Sequence, residues 1–504
     1  MRRFLDLPLL VILMGIGAVS MYVPAAHAVA SRDWAVARAF FYSGSLFLVL
    51  TGLIGLATIA NPATKTSRSH LLALVGTYTV LPIMLAVPLN EVTASNSLFD
   101  AWWEMVSSLT TTGASLFEPS ALPPSAHLWR ALVGWIGGFF ALVTAVAILA
   151  PMNLGGFEVL TGAPAGQGAV GASQITRVAD PSERLVRYTF ALLPIYGALT
   201  LMLWILLILA GDGPLVAACH AMSTLATSGI SPVGGISGGG SGIAGEFFIF
   251  LFLAFALTRR MYPGEKLAQL TGDLRRDPEF RLGLLIVATV PLLLFLRHWI
   301  GAFEEETVED IDAALRALWG AAFTVMSFLT TTGFESTDWA EARTWSGLKS
   351  PGLILAGLTV IGGGVATTAG GVKLLRVYAL FRHGQREMER LIHPNSVGGA
   401  GIIARRLRRQ GAQIAWIFFM LFATSIALVM LALSLTGLDF ESTTVLSVAA
   451  LSTTGPLATV AAETPIAWGS LDQAAKAILA AAMVLGRLET LAIIALLNPE
   501  FWRG

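Results

Sequence analysis

The sequence has one cysteine, Cys219, in 504 residues. A single cysteine excludes a disulfide framework within the chain and any cysteine-built metal site. It lies in an apolar run and reads as a packed thiol. Charge is scarce too: 13% of residues are Asp, Glu, Lys or Arg, against roughly 25% in a soluble domain. A water-soluble fold of this length would lack the polar residues to cover its surface. The formal net charge of +0 leaves no basic field for a nucleic acid partner. Two catalytic signatures are missing: there is no Walker phosphate loop and no His-Glu-x-x-His. The chain therefore reads as no enzyme, with no cofactor and no ATP hydrolysis of its own. His220, His298, His383 and His393 lack metal-ligand spacing and receive no chemistry.

What is present is apolar length. Hydrophobic residues make up 55% of the chain and mean hydropathy is +0.72. Uncharged runs cover 7–31, 39–64, 71–90, 131–157, 188–211, 350–372 and 410–438. Weaker ones cover 243–258, 282–300 and 471–497, interrupted by Glu246, by Arg297 and His298, and by Lys476, Arg487 and Glu489. At about 20 residues per crossing, this predicts ten spans. The run from Leu7 to Ser31 is long enough to span, so it is expected to be a retained first helix rather than a cleaved leader. Basic clusters at Arg2–Arg3, Lys65–Arg68, Arg177–Arg187, Arg259–Arg281 and Arg376–Arg409 alternate with sparsely basic segments. Placing the clusters inside puts both termini in the cytoplasm. The last cluster fits lipid headgroups as well as a docked regulatory partner.

Four shorter segments remain on the outer side, and each ends alike. They read Ser107-Ser108-Leu109-Thr110-Thr111-Thr112-Gly113, Ser223-Thr224-Leu225-Ala226-Thr227-Ser228-Gly229, Ser327-Phe328-Leu329-Thr330-Thr331-Thr332-Gly333 and Ala449-Ala450-Leu451-Ser452-Thr453-Thr454-Gly455. One Thr-Thr-Gly would be a packing motif or a turn. Four copies, one per pair of spans, are an architectural repeat. Asp100, Asp310 or Asp312, and Asp439 stand near expected helix starts as caps, and Gly213-Pro214 serves the second copy. Each short helix would aim its negative end inward, toward a cation. Non-helical backbone is tolerated at membrane depth only in protein or beside an aqueous path. Carbonyls there can replace the water of a monovalent cation, with glycine supplying positive φ and threonine hydroxyls a lower oxygen site. The expected ion-binding residues are Thr111, Thr112, Gly113, Thr227, Ser228, Gly229, Thr331, Thr332, Gly333, Thr453, Thr454 and Gly455. In the fourth copy Ala449 replaces serine and Pro456 follows the glycine, which predicts an asymmetric ring.

Residues 361–373 carry five glycines among thirteen inside an uncharged run. At roughly 1 kcal/mol each against alanine, they predict a span broken at membrane depth, or alternatively two helices in close glycine-mediated contact. Arg487, in the apolar terminal run, is expected either to border the path as a positive barrier or to pair with another helix.

In this combination the repeats resemble the Trk/Ktr/HKT superfamily, with one glycine per filter copy. Arg390–Val397, Gly486-Arg487-Leu488-Glu489 and Asn498–Arg503 are similar to that superfamily's loop after the third unit and to its C-terminal ending. The extra pair of spans over 7–60 resembles the TrkH-type potassium uptake subunit. The resemblance implies an all-α membrane protein: two N-terminal transmembrane helices plus four span–pore helix–span repeats around a central pore. Expected boundaries are 1–64 for the N-terminal hairpin and 65–157, 158–258, 259–382 and 383–504 for the pore units. It implies potassium uptake across the bacterial inner membrane, with K+ held at the filter residues. It implies a gate built from Gly362, Gly363, Gly364, Gly370, Gly371 and Lys373, with Arg487 beside it. The implied partners are membrane lipid, a second copy in a homodimer and a cytoplasmic nucleotide-binding regulatory subunit. The alternative is a proton- or sodium-coupled symporter using acids such as Glu246 and Glu489.

Overall fold

A computed structural model describes residues 7–59, 67–93, 97–150, 156, 181–261, 274, 277–301, 311–346, 352–393 and 411–488. All regular elements among the described residues are helical. An N-terminal layer comprises α1 (Leu9–Ser20), α2 (Tyr22–Ala30) and α3 (Trp34–Ile59). Unit one has a broken first span, α4 (Ser67–Thr79) and α5 (Leu81–Val92), a pore helix α6 (Leu98–Leu109) and a second span α7 (Pro124–Thr144). Unit two has α8 (Pro181–Ala210), pore helix α9 (Pro214–Ala226) and α10 (Gly242–Leu253). Unit three has α11 (Pro278–Gly301), pore helix α12 (Ile311–Leu329), an outer helix α13 (Trp339–Ser346), and a second span split into α14 (Gly352–Ile361) and α15 (Leu374–Ile392). Unit four has α16 (Ala412–Ser434), pore helix α17 (Phe440–Leu451), a short α18 (Leu457–Val460) and α19 (Gln473–Leu488).

The packing closes a ring. In every unit the first span lies on its own pore helix: α5 on α6, α8 on α9, α11 on α12 and α16 on α17. The second span of each unit lies on the next unit's pore helix: α7 on α9, α10 on α12, α14 on α17, and α19 back on α6. No helix here could bury its apolar surface alone. Quadruplication lets each pore helix be covered from both sides, away from lipid.

Seven described helices are long and apolar enough to cross a bilayer, from Leu9–Ala30 to Ala412–Ser434. Their outer faces carry large exposed apolar residues such as Phe190, Leu209, Leu293 and Leu431, as lipid contact requires. Several spans start earlier than their uncharged runs. α7 begins at Pro124 rather than at 131 because Arg130 is buried and paired with Glu104 at 2.5 Å. α11 begins at Pro278 because Glu279 is buried inside the protein. Two expected spans are short: α10 is apolar only over Gly242–Ala256, and α14 stops after Ile361. Cys219 is buried in α9 as a free thiol.

Candidate ion pathway

The pore helices begin by different means. Ser97, not Asp100, caps α6: its side chain accepts from the Asp100 N–H at 3.2 Å, while the Asp100 carboxylate accepts from Lys476 Nζ at 3.1 Å. Asp439 caps α17 as expected, accepting from Ser442 N–H at 3.2 Å. This holds its carboxyl below the usual range. Pro214 takes the first turn of α9. Asp312 sits in the first turn of α12 and pairs with Arg316, and Asp310 lies outside the described residues.

They end identically. The N–H of Thr111, Thr227, Thr331 and Thr453 bonds three residues back, to Ser108, Thr224, Phe328 and Ala450. The next N–H, of Thr112, Ser228, Thr332 and Thr454, bonds five back, to Ser107, Ser223, Ser327 and Ala449, at 2.8–2.9 Å. This is the bonding by which helices close on a left-handed residue, normally glycine. Here that residue is threonine each time, at φ 57°, 51°, 59° and 56°. A β-branched residue at positive φ is an outlier and costs about 1–2 kcal/mol. The same strain at four matching positions marks a constrained site. Sequence reasoning assigned these threonines a hydroxyl role and missed their backbone, since threonine gives no signal of positive φ.

Beyond the threonines, Gly113, Gly229 and Gly333 have φ of 72°, 65° and 83°. Gly455 does not join them. It precedes Pro456, and proline restrains the residue before it. Its N–H donates instead to Thr112 O at 2.6 Å. The four loops abut in cyclic order. A Cβ added to Gly113 would lie 1.7 Å from Ser228 O, and one on Gly229 would lie 2.3 Å from Thr332 O. One on Gly333 would meet the Pro456 ring at 3.0 Å, and one on Gly455 would meet Ala114 N at 2.2 Å. All twelve expected filter residues are brought to this ring. The hydroxyls of Thr111 and Thr453 are buried with no protein partner, whereas Thr331 Oγ1 accepts from Gly370 N–H at 2.7 Å.

Polar braces lock the chain as it leaves each loop. Leu116 N–H donates to Glu104 at 2.9 Å. His220, 3.6 Å from Asp212, meets Ser231 Oγ at 2.9 Å. Glu463 N–H donates to Glu441 at 2.8 Å. Glu246, fully buried in α10, accepts from Trp319 at 2.9 Å, Ser336 Oγ at 2.8 Å, Thr337 N–H at 2.6 Å and the Thr337 hydroxyl. That carboxylate ties α10 to the pore helix of unit three and to the segment after its loop. Glu489 lies outside the described residues. Stranding buried donors costs about 1–3 kcal/mol each. Glu246→Leu is therefore expected to lower the thermal unfolding midpoint in detergent well below that of Glu246→Gln.

Beneath the ring, the second span of unit three breaks between Ile361 and Leu374. Gly362 (φ 73°), Ala366 (φ 54°), Gly371 (φ 75°) and Lys373 (φ 86°) turn the chain. The loop reaches three units at once. Gly370 N–H holds the Thr331 hydroxyl, the Thr368 hydroxyl donates to Leu225 O at 3.1 Å, and Arg487 Nη1 donates to Thr368 O at 2.6 Å. Lys373 is buried at the start of α15 and its Nζ donates to Ala369 O. A cavity runs beside the loop, walled by Tyr78 and Thr144 of unit one, Gly370 and Lys373 of the loop, and Arg487. The structure thus brings the expected gate residues and Arg487 together below the four Thr/Gly loops. Pro394–Val397, Asn498–Arg503, the Arg2–Arg3 cluster and parts of the other four basic clusters lie outside the described residues.

Comparison with known proteins follows the same layout. The family model described as "TrkH: Cation transport protein" matches residues 37–234 and 243–502. The "Trk system potassium uptake protein TrkH" of Salmonella typhimurium is 31% identical over 491 residues, 96% of each chain. Its counterpart of the same name from Vibrio parahaemolyticus is 30% identical over 507 residues, 98% of each chain. The crystal structure of the potassium transporter TrkH from Vibrio parahaemolyticus superimposes with a TM-score of 0.80 at 27% identity, covering 99% of this chain and 100% of that one. Fold, repeat and sequence agree: the chain belongs to the TrkH family of cation transport proteins.

Proposed function

We infer that the chain carries potassium into the cell across the cytoplasmic membrane, down the ion's electrochemical gradient, through the ring formed by Thr111–Gly113, Thr227–Gly229, Thr331–Gly333 and Thr453–Gly455. The observation that carries this reading is the cyclic abutment of the four loops, each held by the same strained threonine. The backbone oxygens of these loops can stand in for the water a potassium ion sheds. The negative ends of four pore helices converge on the same place and favour a cation without a fixed charge. The buried hydroxyls of Thr111 and Thr453, with no protein partner, suit a site completed by an ion or its water. The uptake activity named for the relatives supports the same cargo.

The loop over 362–373 then acts as the gate, crossing beneath the ring with Arg487 fastened to it. The wider arrangement proposed is an inner-membrane homodimer with cytoplasmic termini and a cytoplasmic nucleotide-binding regulator. The test is rubidium and potassium flux into liposomes holding the purified protein, with sodium as competitor. Flux that prefers potassium and rubidium and follows their gradients supports the reading. Flux that requires a proton or sodium gradient overturns it in favour of symport. In that assay Arg487→Ala removes both a positive charge and the bond to Thr368 O. Both losses loosen the loop, so it should raise flux several-fold.

A further inference from the structure

The gate loop is held from above by filter groups, but its lower side rests on residues that the transport reading leaves unused. Where the chain departs from helix after Ile361, the N–H groups of Gly364 and Val365 lose helical partners. Gly364 N–H donates to Ala256 O at 2.9 Å, at the frayed end of α10. Val365 N–H donates to Glu279 Oε1 at 2.8 Å. Glu279 stands in the first turn of α11 with only 6% of its surface exposed. The two supports are tied together, since the Thr258 hydroxyl donates to Asp277 at 2.6 Å. The leaving end and the returning end of one basic connection between α10 and α11 thus form a single seat under the gate.

We propose that Glu279 is a positioning residue that latches the gate loop in its obstructing form from the cytoplasmic side. This rests on reading the loop as a gate. A buried carboxyl group is costly unless its oxygens are hydrogen-bonded. Lifting the loop takes the Val365 N–H away from Glu279 and leaves the carboxylate short of a donor. The left-handed Ala366 beside it (φ 54°) stores strain that favours departure once the bond is gone. The bond and the strain thus oppose each other across adjacent residues. Because Ala256, Thr258, Asp277 and Glu279 flank one cytoplasmic connection, displacing that connection would withdraw the seat without touching the filter.

The test uses the full-length protein in liposomes, with rubidium flux measured for three variants. Glu279→Leu removes the acceptor, Glu279→Asp keeps the charge but retracts it, and Glu279→Gln keeps an acceptor oxygen at the same reach. Leu and Asp are expected to raise the initial rate about tenfold, the population change that goes with about 1.4 kcal/mol, and Gln to stay within about twofold of the parent. Preference for rubidium over sodium should not change, since the filter is untouched. If Glu279→Leu fails to fold, the Asp and Gln variants decide. Parent-like flux in Asp, or flux in Gln as high as in Asp, overturns the latch. Gly370→Ala in the same assay separates the readings. If it raises flux while the Glu279 variants do not, the gate stands and the latch falls. If none of them changes flux, both fall.

Discussion

Gly113→Ala is expected to abolish rubidium uptake while the protein still folds and reaches the membrane. Two costs act at the same atom. At φ 72° the added Cβ meets the backbone strain of a left-handed residue, about 1–2 kcal/mol. It would also lie 1.7 Å from Ser228 O, a backbone atom of the neighbouring filter loop, so no side-chain rotation relieves the clash. The carbonyl must move, and it is one of the oxygens proposed to hold the ion. The corresponding changes should be graded. Gly229→Ala meets Thr332 O at 2.3 Å, again backbone, whereas Gly333→Ala meets only the Pro456 ring at 3.0 Å. Uptake should therefore fall furthest in the first, less in the second and least in the third. Size-exclusion profiles should stay near the parent's and unfolding should stay cooperative, because the helix packing is untouched. Parent-like uptake by Gly113→Ala would show that the loops do not need this contact, and the filter reading would be lost.

The parts of the design that repeat were the parts legible in the chain. Four copies of Leu-small-Thr-Thr/Ser-Gly at intervals of 116, 104 and 122 residues announce pore loops because helix, turn and return are local. The glycines of 361–373 announce a broken span for the same reason, and Pro456 announces the odd fourth loop. Where the reading failed, the cause was distant. The charge criterion trimmed α7 because Arg130 looks like a membrane boundary, yet it is buried against Glu104 twenty-six residues earlier. The partners of Glu246 could not be read either, since only the fold brings Ser336 and Thr337 to it. Asp100 looked like a cap because a carboxylate at a helix start usually is one; its partner, Lys476, is 376 residues away. The left-handed threonines were unreadable in principle, since intrinsic preference opposes that backbone. The abutting loops impose it.

The largest gain in flux should come from Gly370→Ala. Gly370 packs against unit four so closely that an added Cβ would lie 2.2 Å from Ser452 O and 2.4 Å from Thr453 Oγ1. Either the filter or the loop has to yield. The filter side is pinned by the doubled backbone bonds that end α17, from Thr453 to Ala450 and from Thr454 to Ala449. The loop side carries two left-handed residues other than glycine, Ala366 and Lys373, and relaxes when it moves away. The loop is therefore the softer partner. Its displacement also breaks the bond from Gly370 N–H to the Thr331 hydroxyl, which frees a filter oxygen. Rubidium uptake should rise by about tenfold or more, each decade answering to about 1.4 kcal/mol of bias toward the open form. Discrimination against sodium should persist, because the pinned side has not moved. Gly357→Ala is the matched control. It lies on α14, just before the loop, with nothing within 4 Å of an added Cβ, and as a helical position it should gain up to about 1 kcal/mol of stability without changing flux. If Gly370→Ala lowered uptake, or raised rubidium and sodium flux alike, the filter would be the part that gave way, and the 362–373 segment would be a floor beneath the filter rather than its gate.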